Sequence, residues 1–156
     1  MGDLDVHHVG TIVERLETTM ERVGADLGLT WAPVQERDQR VRLASGEVLV
    51  ERLRFTYSCQ GKPHLELIES RTRRVWRPGP AGMLHHVGSF VDDLPAASAR
   101  LASIGLAFEF GGGRHERPVG FAYHLAPGGI RVELLDGARR DDFERWFAGG
   151  SLGCVR

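Results

Sequence analysis

Residues 5–13 form a dense apolar and β-branched run, the habit of a strand. From Leu16 the period changes. Leu16, Met20, Val23 and Leu27 recur at helical spacing and Gly28 ends the run, which predicts a helix over 16–27. Strand-like stretches follow at 29–34, 48–58 and 64–69, the last two divided by the turn CQGKP. The order is βαβββ. Residues 71–82 hold two prolines, two glycines and four arginines and read as a linker. The pattern then restarts: a strand over 84–91, a helix over 94–104, and strands over 107–110, 121–126 and 130–135, with GGGRHERPVG and PGG as turns. The tail from Ala138 carries DDFERWF, an acidic-capped short helix whose aromatic face packs back on the body. The expectation is one α+β domain of two tandem βαβββ modules (about 4–70 and 83–137), a linker over 71–82 and a tail over 138–156. Their strands would form one curved mixed sheet, a cup with the helices outside.

The chain also repeats itself in letters. LDVHHVGTIV opens the first unit and MLHHVGSFV the second, while PHLELIE and IRVELLD close them. Side chains alternate across a strand, so each residue can be given a face. Val9, Thr11 and Val13, like Val87, Ser89 and Val91, suit the side covered by the following helix. His8, Gly10 and Ile12, with His86, Gly88 and Phe90, take the other side. In the closing strands Leu65 and Leu67, like Val132 and Leu134, pack outward and leave Glu66 and Glu133 facing the concave interior. A carboxylate facing an apolar interior is costly unless it is paired or binds a metal. Two imidazoles and two carboxylates make an N/O set suited to one divalent ion of the Zn, Ni, Co, Mn or Fe(II) type, with positions left open for water or substrate. His7 and His85 are assigned structural roles, such as hydrogen bonds to loops. A one-residue shift of register would swap each pair.

Composition narrows the partners. The 156 residues are 42% hydrophobic and 26% charged, with a net charge of -1, so nothing favours nucleic acid. No apolar run is long enough to span a membrane, the first residues do not read as a signal peptide, and Cys59 and Cys154 lack CxxC spacing. These features predict a cytoplasmic protein with free thiols. The string RTRRVWRPG, with Arg71, Arg73, Arg74 and Arg77, reads either as a solvated linker or as an anion patch for the phosphates of an acyl-CoA.

The strings HHVGTIVERL, HLELIES, HHVGSFVDDL and IRVELLD resemble the vicinal oxygen chelate superfamily, which includes glyoxalase I, methylmalonyl-CoA epimerase, extradiol dioxygenases and bleomycin or fosfomycin resistance proteins. HHVGSFVDDLPAASARLASIGL is most similar to the epimerase-like members; the long stretch between 32 and 58 departs from them. The resemblance implies paired βαβββ modules around one ion held by His8, Glu66, His86 and Glu133, and a homodimer. A divalent ion that binds two substrate oxygens polarises a carbonyl and eases removal of the neighbouring proton. Glu133 is the first candidate base, since a last-strand glutamate in such relatives serves as both ligand and base. Glu51, on the same strand face as Leu53, Phe55 and Tyr57, is the second; its other reading is a hairpin carboxylate beside Arg52 and Arg54. Tyr123, Arg114 and His115 are candidate substrate contacts, the last two on a glycine-rich loop that equally suits a plain surface. Three functions follow in order: a metal-dependent epimerase, isomerase or lyase, including action on an acyl-CoA thioester; an extradiol-type Fe(II) dioxygenase; and an antibiotic-binding resistance protein.

Overall fold

Each of the two long helices has one end fixed by a local signal. The first, α1 (Leu16–Leu27), stops at Gly28, whose φ of 66° is left-handed and whose N–H returns to the Gly24 carbonyl. The second, α2 (Leu94–Ser103), starts at Asp93, whose side chain accepts the N–H of Ala96. The computed structural model describes residues 5–79 and 83–152. Before the linker lie β1 (His8–Ile12), β2 (Gln35–Leu43), β3 (Val48–Tyr57) and β4 (His64–Ser70); after it lie β5 (His86–Val91), β6 (Ala107–Gly112), β7 (Phe121–Leu125) and β8 (Arg131–Asp136). The eight strands close into a mixed barrel in the order β1-β4-β3-β2-β6-β7-β8-β5. Two antiparallel seams join the halves: β1 against β5 and β2 against β6. Helix α2 buries Leu94 and Leu101 on Ala122, Val132 and Leu134, the outward side of β7 and β8. After β8, α3 (Arg140–Phe147) folds back as its aromatic face predicts. Phe143 and Trp146 are buried, and Trp146 Nε1 donates to the Pro33 carbonyl at 2.8 Å.

Two expectations need correction. Residues 29–34 form no strand; they make one bridge, Trp31 to Ser58, and an arm held by Ala32 N–H to the Tyr57 carbonyl and by Trp31 Nε1 to the Met20 carbonyl. The strand lies just beyond, over the charge-rich β2. The linker, in turn, is not wholly solvated. Trp76 is buried against Phe110, Phe121 and Tyr123. Three of its four arginines are engaged at the surface: Arg73 with Glu14, Arg74 with Glu47, and Arg77 with the Arg74 carbonyl. Among the described residues no helix is long and apolar enough to cross a membrane. Cys59 is a free thiol; Cys154 lies outside the described residues, as do residues 80–82 of the linker.

Candidate metal centre

The β1–β5 seam builds the site. His8 pairs with Gly88 and Gly10 with His86, so each histidine faces a glycine across the ladder. A Cβ on Gly10 would fall inside the His86 ring, and one on Gly88 inside the His8 ring. The glycine two places after each histidine is therefore the seat of the other copy's imidazole. The flanking strands bring the acids: Glu66 sits on β4 beside Gly10, and Glu133 on β8 beside Gly88. All four side chains are buried, and one ligand atom from each lies within 4.8 Å of the others.

The distances are those of a converging set. His8 Nε2 is 3.0 Å from His86 Nε2 and 2.8 Å from Glu133 Oε2, while His86 Nε2 is 2.9 Å from Glu66 Oε2. That last approach lacks hydrogen-bond geometry, and Glu66 Oε2 is the one buried side-chain polar atom among the described residues without a hydrogen-bond partner. An orphaned carboxylate oxygen beside two imidazole nitrogens fits a divalent ion, which takes lone pairs from all of them. Without an ion, a proton can fill part of that role. Burial opposes charge on His86, but the carboxylates of Glu133 and Glu66 outweigh it and push the group up to about 9. Burial likewise opposes charge on Glu133, yet His86 and His8 hold its carboxyl well below the usual carboxylate range.

The rings of His7 and His85 reach the neighbouring histidines and not loops. Nδ1 of His7 lies 3.2 Å from Nδ1 of His8, and Nδ1 of His85 lies 2.9 Å from Nδ1 of His86. When Nε2 of a ligand histidine turns its lone pair inward, its ring proton resides on Nδ1, and the preceding histidine is the acceptor in reach. Burial, then the adjoining His8 and His64, pushes His7 down to about 3; burial, then His86 and Arg131, does the same to His85. Both stay neutral and able to accept. Register also sets Tyr57 opposite Glu66 and Tyr123 opposite Glu133. Their rings pack edgewise on His8 and His86, with centroids 5.0 and 5.1 Å apart. Burial, reinforced by the two carboxylates, keeps both phenols protonated.

The cluster opens onto a cavity of about 70 Å³ whose lining includes Glu66, Glu133, Tyr57 and Tyr123. Tyr123, one of the expected substrate contacts, is among that lining. Arg114 and His115 are not; they lie exposed on the β6–β7 loop. Glu51 is inward-facing and fully buried but outside the cavity. Its carboxylate accepts from Ser70 Oγ at 2.6 Å, Thr72 Oγ1 at 2.5 Å, Arg74 N at 2.8 Å and Val75 N at 3.0 Å. A carboxylate with four donors anchors the strap that carries Trp76 and is poorly placed to take a substrate proton. Sequence reasoning missed Arg37 and Gln39, which line the cavity from β2; their alternation with exposed Glu36, Asp38 and Arg40 was the available signal.

Among solved structures the chain is similar in fold to a hypothetical protein of Bacillus halodurans (13% identity, 86% of this chain and 94% of that one, TM-score 0.57). It is also similar to methylmalonyl-CoA epimerase from Mycobacterium tuberculosis (18%, 87% and 91%, 0.51) and to a substituted 4-hydroxymandelate synthase from Streptomyces coelicolor (16%, 84% and 47%, 0.51). Compared by sequence with curated proteins, the chain matches none. Residues 7–123, which contain three of the four clustered side chains and the whole β1–β5 seam, match the family profile of the Glyoxalase/Bleomycin resistance protein/Dioxygenase superfamily, and the chain belongs to that superfamily.

Proposed function

We propose that the protein is a divalent-metal-dependent enzyme that holds a small substrate by two neighbouring oxygens and transfers a proton at the adjacent carbon. His8, Glu66, His86 and Glu133 would hold the ion. When bound, it supplies Lewis acidity to the substrate carbonyl and raises the acidity of the neighbouring C–H. The observation that carries this reading is the make-up of the cavity: the carboxylates among its lining residues are Glu66 and Glu133, both members of the cluster. A base for carbon must therefore come from the cluster itself. Glu133 is assigned the role, taking the proton on one carboxylate oxygen and returning it to carbon, while Glu66 stays a ligand. Tyr57 and Tyr123, held neutral, can donate hydrogen bonds toward the developing negative oxygen. The aromatic walls keep water from competing for the proton.

Epimerase-like fold neighbours support testing thioesters; the ligand set also suits Fe(II), which keeps a dioxygenase in view. The test is deuterium exchange from solvent into the α-position of methylmalonyl-CoA, methylglyoxal hemithioacetal and aromatic 2-oxo acids, with each metal in turn. Metal-dependent exchange that falls about a hundredfold or more in Glu133→Gln, with Glu51→Gln near wild type, is expected. Oxygen uptake with a catechol and no exchange with any carbon acid would transfer the assignment to oxygenation.

A further inference from the structure

The cavity beside the cluster is small. Its volume is about 70 Å³, under half of the roughly 150 Å³ in which a protein interior holds one benzene ring. Pockets for drug-sized ligands run from about 300 Å³ upward. An ion, two oxygens bound to it and a few carbon atoms use this space; an aromatic ring or a long acyl chain finds none.

One wall comes from outside the regular elements. Of the rings in the lining, Trp76 is the one that neither a strand nor a helix carries. It stands on the strap after β4, yet it is only 3% exposed. Its ring abuts those of Phe110, Phe121 and Tyr123, with centroids 5.2, 5.9 and 6.0 Å away, and Nε1 donates to the Tyr123 hydroxyl at 3.4 Å. Tyr123 lies opposite Glu133 and packs on His86, so the indole is one ring removed from the cluster. Nor can it retreat freely. The N–H groups of Arg74 and Val75, the two residues before it, donate to the buried Glu51 carboxylate at 2.8 and 3.0 Å, and moving the strap would strand that carboxylate. A wall held in this way sets a limit of size. Trimming the indole to a methyl group removes a bicyclic ring, more than a phenyl group needs.

Resting on the reading of the cluster as a metal centre that takes two substrate oxygens, we infer that Trp76 determines specificity by holding the substrate to a small one. The substrate class is a short 2-oxo or 2-hydroxy carbonyl compound. Beyond the bound oxygens it carries a methyl- or ethyl-sized group, with no aromatic ring and no long acyl carrier.

The experiment uses the full chain loaded with Zn(II), an ion without redox chemistry, so that calorimetry reads binding and not turnover. Metal content is measured first. The probes are acetohydroxamate and benzohydroxamate, which offer a metal the same two neighbouring oxygens and differ in a methyl against a phenyl group, together with methylmalonyl-CoA. They are titrated into wild type, Trp76→Phe and Trp76→Ala. Given room for both, the phenyl compound would bind more tightly, because it buries more apolar surface. Wild type is expected to reverse that order and favour acetohydroxamate about tenfold or more. Trp76→Ala should restore it, with benzohydroxamate about threefold or more the tighter and metal content unchanged, and Trp76→Phe should fall between. Should Trp76→Ala fail to fold, wild type and Trp76→Phe still decide. Benzohydroxamate or methylmalonyl-CoA binding wild type as tightly as acetohydroxamate overturns the inference, as does a ratio that neither substitution moves. Each of these outcomes leaves the metal centre standing. A metal-loaded protein that binds no hydroxamate removes the two-oxygen reading, and one that takes up no divalent ion removes the centre; the inference falls with either.

Discussion

Gly10 and Gly88 carry no functional group, yet the cluster depends on both. Each faces the opposite histidine in the β1–β5 ladder, and each lacks the one atom that would collide with that ring. Alanine at either position should displace the facing imidazole. We expect Gly10→Ala and Gly88→Ala to weaken divalent-metal binding about 10- to 100-fold, comparable to loss of an orienting partner, and to cost about 1–3 kcal/mol through overpacking. Metal titration followed by calorimetry and chemical denaturation would measure the two effects separately. Unchanged affinity in both variants would mean that the rings can turn aside without loss of the site.

At the level of elements, the strap after β4 is the part that composition misrepresents. Its arginines and prolines look like a solvated connection, but Glu51 ties it down and Trp76 enters the barrel. Truncating Glu51 leaves buried donors without their acceptor. Glu51→Ala should therefore lose about 3 kcal/mol or more in denaturant unfolding, while the folded fraction still takes up one equivalent of metal. The helices, the closing strands and the inward face of His8, Glu66, His86 and Glu133 were legible because they obey simple periods: α1 ends at its glycine and the strand parity holds. Strand β2 was not legible for a physical reason. Its inward positions 37 and 39 face the cavity and not a packed core, so they are polar, and the hydrophobic alternation that marks a strand is missing. The apolar arm at 29–34 took its place in the reading because Ala32 is buried and Trp31 half-buried without joining a ladder. His7 and His85 escaped for another reason: they precede their strands, so alternation does not govern where their rings turn.

For the whole molecule, the cluster links four strands that are consecutive around the barrel, β4, β1, β5 and β8, and so spans the two halves of the chain. An ion there should act as a cross-brace. At free metal about 100-fold above the dissociation constant, the gain in unfolding free energy is about 2.7 kcal/mol, and His8→Ala or His86→Ala should abolish it. The ion-free protein should respond to pH in a definite direction. His86 is raised to about 9, so the stability from its protonated form is complete below its ordinary value of 6.5 and is lost as pH rises through about 9. Glu133 is lowered, so its contribution is present above 4.5 and is lost as pH falls further. A bound ion replaces the proton and removes the alkaline loss. Thermal melts with and without chelator should therefore diverge more at pH 10 than at pH 7; a constant gap would contradict the exchange of proton for metal.

The reciprocal seam also bears on how such a chain can change over generations. Because each histidine rests on the glycine of the other repeat, positions 8 and 88 form one unit of inheritance and positions 10 and 86 another. A larger residue at 10 is tolerated only after the ring at 86 has been given up. A change in one half is thus felt in the other, and the HHVG string that both halves carry is what lets the two rings and the two glycines interlock.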